Sequence, residues 1–233
     1  MVSIHTVFDF LAVVSSMAMT YTFYRWRLDA AAAQIDRAGI GYVVALVSGS
    51  VIGGYGFGTL NLWLSGDQGI GRSIVGSLAG AIIAIEFFKL WRGIYNSTGL
   101  IFVPAFATTV AVGRWGCFLS GMDDQTYGTA TSLPWGHDFG DHISRHPVQL
   151  YESFSMLLFL LVATVLIGQR NEWFSRNGFY ALVAFYAVQR FAWEFLKPYA
   201  TLIGPFNLFH LVCLGLVIYA LAMLRAKHER ADS

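Results

Sequence analysis

The sequence predicts an all-α polytopic membrane protein of seven transmembrane helices, N-terminus outside, C-terminus cytoplasmic, with a long external loop over 119–150. Three observations carry that prediction. Hydrophobic residues fill 56% of the 233 positions and charged residues 12%, against roughly 25% charge in a soluble domain. The apolar residues run in blocks close to the ~20 positions a helix needs to cross hydrocarbon. The basic residues collect on one side of those blocks.

The first block, 6–24, is preceded only by His5 and runs into Arg25 and Arg27, so it reads as a retained span and not as a signal peptide. The second and third, 39–57 and 73–91, are joined by glycine-rich sequence, GSVIGGYGFG and GIGRSIVGSLAG. Two readings stand there: close helix packing through Gly76, Ser77 and Gly80, or a backbone-lined site for a headgroup or an ion. The fourth block is 99–118, the fifth 151–168, the sixth 178–196 and the seventh 205–224. Lipid excludes unpaired backbone groups, so each should be a helix; the ten-residue alternation of barrel strands is absent. Residues 1–224 form one transmembrane domain and 225–233 a short basic cytoplasmic tail.

Ten basic residues follow the first, third, fifth and seventh blocks: Arg25, Arg27, Arg37, Lys89, Arg92, Arg170, Arg176, Arg225, Lys227 and Arg230. Three, Arg72, Arg145 and Lys197, lie on the other side. Positive residues stay cytoplasmic, which sets the orientation of a multi-pass protein. Trp26, Trp63, Trp91, Trp173 and Trp193 fall near block ends, as interfacial anchors do. The 119–150 connection, with aromatics and prolines spaced through it, reads as an ordered cap or re-entrant element and not as a tether.

A net charge of +1 gives no field for nucleic acid. Cys117 and Cys213 form neither a disulfide framework nor a CxxC pair. No histidine neighbours Cys117 in sequence, so a nucleophilic role for it needs one supplied by the fold.

Charges inside spans are expensive and mark function or a specific pair. Arg114 lies near the external end of the fourth block, its rigid donor fork suited to phosphate; pairing with Glu152 or snorkelling is the alternative. Arg190 and Glu194 stand four apart, on one helix face. Glu194 there either closes a structural pair or orients Arg190 toward a phosphate. In RHPVQLYE, Pro147 as a first-turn residue puts Gln149 and Glu152 on one face, with Arg145 and His146 at the mouth. Glu86 and Lys89 pair with each other at the internal end of the third block. Asp9 lies at the level of Arg114 and His146 and closes the cluster. Two arginines facing two or three carboxylates beside an ordered loop exceed what packing requires, and an anionic phospholipid headgroup is the expected ligand.

These residues carry a resemblance. VGRWGCFLSGMDDQTYG, with Arg114 between Gly113 and Trp115, looks like the signature of the prolipoprotein diacylglyceryl transferases, and RHPVQLYE is similar to a second block of that family. Gly178–Lys197, with Arg190 and Glu194, resembles its penultimate helix. The resemblance implies transfer of the diacylglyceryl group of phosphatidylglycerol to the cysteine thiol of a lipoprotein precursor, or to another acceptor, with release of glycerol phosphate. It implies a multi-pass location in a bacterial inner membrane, and no metal and no organic cofactor. Arg114, Arg190, Glu194, His146 and Glu152 would be catalytic, the arginines holding phosphate. Gly113, Cys117, Gly121, Gly128, Gln149, Tyr151 and Asp9 would bind substrate, Gly128 by letting the loop backbone come close. The chain departs from the family pattern at Cys117, where asparagine is expected, at Val75, where histidine is expected, and in the first block, where His5 and Asp9 stand without a tyrosine in register. The insertion MDDQTYG leaves Asp123 and Asp124 both open as the family's acidic residue. Of the histidines, His146 is the best placed to take over thiol activation, ahead of His5 and His210.

Two other classes stay open. A small-solute or ion transporter would show repeated halves with interrupted helices, and no internal repeat is visible. A non-catalytic scaffold would pair its external charges completely and leave no ligand-sized opening.

Overall fold

Ser73, Asn171 and Asn207 each stand one residue before a helix and accept a backbone N–H of its first turn, from Gly76, Phe174 and His210 at 3.1, 2.9 and 3.0 Å. Such caps satisfy donors that a helix start leaves orphaned. At the other ends, Gly39 and Gly93 take positive φ (78° and 67°) and stop their helices, a conformation that a Cβ penalises.

The computed structural model describes residues 4–231, and side chains as far as 226. Eight helices follow in order: α1 Ile4–Phe23, α2 Asp29–Ala38, α3 Ile40–Leu64, α4 Ile74–Arg92, α5 Phe102–Leu119, α6 Val148–Gly168, α7 Glu172–Glu194 and α8 Leu208–Ala231. A π-helical turn, Tyr24–Leu28, joins α1 to α2 into one continuous 35-residue rod, Ile4–Ala38. The expected cytoplasmic connection after the first span is therefore helical, and its DAAAAQIDRA sequence is amphipathic. The expected tail is not separate either. Residues 225–231 continue α8, and 232–233 lie outside the described residues.

Among the described residues, six helical segments are long and apolar enough to cross a membrane. The expectation was seven. The remaining one, α7, has 23 residues but carries Glu172, Arg176, Arg190 and Glu194, which lower its apolarity. The chain is an all-α polytopic membrane protein. Its apolar side chains face outward as well as inward: Phe10, Ile40, Ile52 and Phe87 are largely exposed, as lipid-facing positions are.

Packing runs α3 on α4, α1 on α5, α5 on α6, α6 on α7 and α7 on α8. The shared core is built by Val75, Leu78 and Ile82 of α4, Val103, Ala107 and Val110 of α5, Met156, Leu160 and Ala163 of α6, and Leu182, Val183 and Tyr186 of α7. On α3 and α4, Gly49, Gly53, Gly76 and Gly80 meet backbone to backbone. A Cβ on Gly53 would lie 2.8 Å from Gly80 Cα and closer still to Gly76 O. Small residues permit that approach where no hydrophobic force separates helices from lipid. Val75, on the same helix α4, is fully buried in the shared core.

The 120–147 connection is ordered. Gly121, at φ 69°, turns the chain out of α5 into a 3₁₀ turn, Gly121–Asp124. A two-residue antiparallel ladder follows, β1 His137–Asp138 against β2 Ser144–Arg145. Gly128 N–H donates to His146 O at 3.1 Å and Thr129 N–H to Leu196 O at 2.6 Å, which seats the loop on the end of the bundle. A Cβ on Gly128 would lie 2.6 Å from His146 Cβ, so this approach needs glycine. Pro147 sits at the N-cap of α6, one position before the expected first turn.

Candidate functional site

Five charged side chains from α5, α6, α7 and the turn after α7 converge in the bundle: Arg114, Glu152, Arg190, Glu194 and Lys197, each at most 8% exposed. Arg114 Nε lies 2.5 Å from Glu152 Oε2. Glu152 Oε1 accepts from Arg190 and, at 2.7 Å, from Lys197. Arg190 also reaches Glu194 Oε1 at 2.6 Å, and Glu194 Oε2 accepts from Asn207 Nδ2 at 3.0 Å. Neither guanidinium stands free: Arg114 pairs with Glu152 and Arg190 with Glu194, each an alternative the sequence left open, and Glu152 is shared by two arginines and Lys197.

The partnering is nonetheless incomplete. Glu152 Oε2 and Glu194 Oε1 are close to guanidinium nitrogens without an aligned hydrogen bond, and Arg190 Nε finds no acceptor among the described residues. Burial and the Arg190 guanidinium pull Lys197 below its ordinary value, against the pull of Glu152 and Glu194. The cluster thus gathers two guanidiniums, two carboxylates and one lysine amine in a desolvated place, where a polar group left unpaired is costly.

A cavity of about 660 Å³ opens beside the cluster, and Arg114 and Arg190 both line it. Arg72, Asp9 and His5 line it too, together with Gly54, Gly58 and Gly71. Ser50, Val51, Ile74, Ser77 and Thr109 also belong to a second cavity of about 490 Å³ running toward Glu86 and Lys89. A polar chamber and a mainly apolar one thus share a wall.

The expected site residues divide between this chamber and its surroundings. Asp9, Gly113, Arg114, Cys117 and Arg190 line the cavity. Asp9 pairs with His5 at 3.0 Å and with Arg72 at 3.2 Å, not with Arg114. Glu152 and Glu194 stand behind the arginines. Gln149, fully buried one turn before Glu152, leaves both amide atoms without a partner. His146 and Tyr151 meet outside the cavity lining, Nδ1 to hydroxyl 3.3 Å, and Trp135 Nε1 donates to the same hydroxyl at 2.8 Å. Gly121 and Gly128 shape the loop. Glu86 and Lys89 pair as expected, at 3.0 Å.

His5 is the histidine that the fold brings into the chamber. Its Nε2 lies 3.8 Å from Cys117 Sγ and 3.0 Å from Asp124 Oδ1. Gly116 permits the approach of α1 to α5, since a Cβ there would lie 2.6 Å from Phe8 Cβ. Burial pushes the Asp124 carboxyl up, but the hydrogen bonds from His5 and Thr126 outweigh it and hold the group below its ordinary value. Burial keeps the hydroxyl of Tyr199, another lining residue, protonated and able to donate.

Sequence reasoning missed Lys197 and Asn207 as members of the charged cluster. For Lys197 a signal existed, its position three after Glu194, but it was assigned to an external connection.

Helices of this length around a cavity lined by charged side chains define an integral membrane protein with a polar site inside its bundle. The comparisons narrow that class. Residues 3–226 match the family model described as prolipoprotein diacylglyceryl transferase, and the chain belongs to that family. It is 30% identical over 173 residues to a phosphatidylglycerol–prolipoprotein diacylglyceryl transferase of Finegoldia magna, covering 70% of this chain and 64% of that protein. The corresponding enzyme of Geobacter sulfurreducens is 32% identical over 162 residues, 66% of this chain and 60% of the relative. That of Nitratidesulfovibrio vulgaris is 30% identical over 198 residues, 78% and 73%. The aligned stretch thus spans less than two thirds of the first two relatives. No solved structure matches.

Proposed function

We propose that the chain transfers the diacylglyceryl group of phosphatidylglycerol, or a related anionic phospholipid, to a thiol acceptor at the outer face of a bacterial inner membrane. In this reading α7 is the seventh span, the N-terminus faces out and the C-terminus faces the cytoplasm. The acceptor is the cysteine of a signal-peptide-bearing lipoprotein precursor. The observation that carries the reading is that Arg114 and Arg190 line one cavity with a mainly apolar chamber along the same wall, which together suit the phosphate and acyl chains of one lipid.

The roles follow from placement. Arg114 and Arg190 hold the lipid phosphate, whose charge rises as the bond from glycerol carbon to phosphate oxygen breaks. Donors already fixed in a dry site stabilise such charge without reorganising. Glu194 orients Arg190, and Glu152 holds both guanidiniums in register. Gln149 offers its unpartnered amide from the same face. Gly113 and Cys117 form the wall beside the phosphate, and Asp9 with Arg72 the mouth. The loop pinned by Gly121 and Gly128 places His146 and Tyr151 above the site.

The test is to incubate the purified chain in phosphatidylglycerol-containing vesicles with a lipobox peptide and weigh the peptide. A gain of one diacylglyceryl unit that depends on phosphatidylglycerol is expected. No gain, with lipid still bound, removes the reading.

A further inference from the structure

The apolar chamber beside the site has a direction. On α4, Ile74, Ser77, Leu78, Ala81, Ile85 and Glu86 line it, a spacing of three and four that keeps one helix face along it. Tyr42, Leu46 and Ser50 line it from α3, and Phe102, Phe106 and Thr109 from α5. It therefore runs along three helices, from the wall it shares with the polar chamber at Ile74 and Ser77 down to Glu86. The rise from Ile74 to Glu86 is ~18 Å at ~1.5 Å per residue. That is close to the depth of one leaflet, half of the ~30 Å hydrocarbon core. A volume of about 490 Å³ over that length leaves a bore of roughly 27 Å². Such a bore admits one hydrocarbon chain and excludes a helix, ~10–12 Å across with its side chains.

The two ends of the chamber differ in kind. Beside the polar chamber, Arg190 Nε finds no acceptor among the described residues. At the deep end the polar groups satisfy one another. Buried Lys89 donates to both oxygens of Glu86, at 3.0 and 3.1 Å, and the Tyr219 hydroxyl donates to Glu86 Oε1 at 2.7 Å. The hydroxyls of Tyr42 and Thr98 share a hydrogen bond of 2.8 Å. No side-chain atom of Tyr42, Glu86, Lys89, Thr98 or Tyr219 is buried without a partner. A second headgroup would find little to bind there. The deep end is a polar floor, and parting it in a desolvated place leaves polar groups unmet.

We propose that the chamber holds one acyl chain of the phospholipid whose phosphate lies at Arg114 and Arg190, and that the floor of Tyr42, Glu86, Lys89 and Tyr219 sets an upper limit on the length of that chain. The inference rests on the transferase reading above, which supplies the lipid. The selectivity is one-sided. Hydrocarbon in the chamber and hydrocarbon in the bilayer are equally apolar, so a short chain loses little. A chain longer than the chamber must push the phosphate back from the arginines or part the hydrogen bonds of the floor. The second chain of the same lipid, for which the bore has no room, lies in the bilayer and is not measured.

The experiment offers the full chain equal amounts of dimyristoyl, distearoyl and dibehenoyl phosphatidylglycerol in nanodiscs of excess dioleoyl phosphatidylcholine, which keeps the host bilayer constant. Native mass spectrometry reads the phosphatidylglycerol retained, and the diacylglyceryl groups added to a lipobox peptide are weighed in parallel. Dimyristoyl and distearoyl lipids should be retained alike and dibehenoyl lipid at least about 10-fold less, the scale on which a fitted pocket rejects an overlong group. Tyr219→Ala, which takes a ring out of the floor, should raise dibehenoyl retention toward that of distearoyl, a gain that a misfolded chain cannot give. Ala81→Phe, which fills the chamber above the floor, should lower distearoyl against dimyristoyl retention by about 10-fold. Equal retention of the three lipids, or ratios that neither variant moves, overturns the limit. Transfer that ignores chain length overturns it and keeps the transferase. Length-graded retention with no peptide modified keeps the limit and removes the transferase. No phosphatidylglycerol retained at any length overturns both.

Discussion

Arg114 and Glu152 meet across the α5–α6 interface at 2.5 Å, and the same carboxylate also accepts from Arg190 and Lys197. One fully buried anion therefore sets the positions of three cations from three parts of the chain. The chamber is shaped around that shared group, and the consequences of disturbing it can be measured.

Glu152→Gln keeps the size of the side chain and removes its charge. Three cations then lose their common partner, and breaking a buried pair on one side costs about 3–5 kcal/mol. Thermal unfolding in nanodiscs should shift down accordingly, and an unchanged midpoint would show that the carboxylate does not hold the cluster.

Arg190→Lys keeps the charge but loses the fork that spans Glu152 and Glu194. Diacylglyceryl transfer should fall by on the order of 10²-fold, the size seen when one fixed donor to developing charge is removed. Steady-state transfer to a lipobox peptide measures it, with helix content by circular dichroism as the control.

Gly53→Leu places a side chain where α3 and α4 touch through backbone. Overpacking of this kind costs about 1–3 kcal/mol or more. The variant should unfold at lower temperature, whereas Gly56→Ala, where the added Cβ meets nothing within 4 Å, should not.

The β1–β2 hairpin should be acid-sensitive. Arg145 lies 2.6 Å from Asp141, and its hydrogen bond holds the Asp141 carboxyl below its ordinary value against a smaller opposing effect of burial. A carboxyl depressed in the folded state contributes stability above its unfolded pKa of about 3.9 and loses it as pH falls through the lower folded value. Hydrogen exchange of Thr131 and His146 amides should accelerate as pH falls below about 4, relative to intrinsic rates. Asp141→Asn should remove that transition.

Much of this was legible from residues alone. Hydropathy located every long helix, because a span of lipid-facing apolar side chains leaves a signal independent of packing, but missed the polar ends of α3, α7 and α8 by six or seven residues. Arg190 and Glu194 were legible as a pair, since helical spacing is local. The α2 rod was not: Arg25 and Arg27 end the apolar block, and only the backbone shows that the helix continues past them. The seven-span expectation met six apolar segments because α7 carries four charges, Arg190 and Glu194 buried in the bundle and Glu172 and Arg176 exposed at its start. His5 could not be tied to Cys117 from sequence. They lie 112 residues apart, and the pairing depends on the register of α1 against α5, which Gly116 and Phe8 set by contact. His146 was the favoured base because it adjoins a recognisable motif, but the seated loop turns it toward Tyr151 and away from the chamber lining.

The central claim is that Arg114 and Arg190 hold the phosphate of an anionic lipid despite their bonds to Glu152. Solid-state NMR on the chain with labelled arginine nitrogens, in bilayers containing phosphatidylglycerol, reads that contact without any substitution. The account predicts phosphorus–nitrogen dipolar dephasing for both guanidiniums at about 4 Å, the separation of a direct hydrogen-bonded pair. Lipid retained by the protein with no dephasing at either arginine would contradict it.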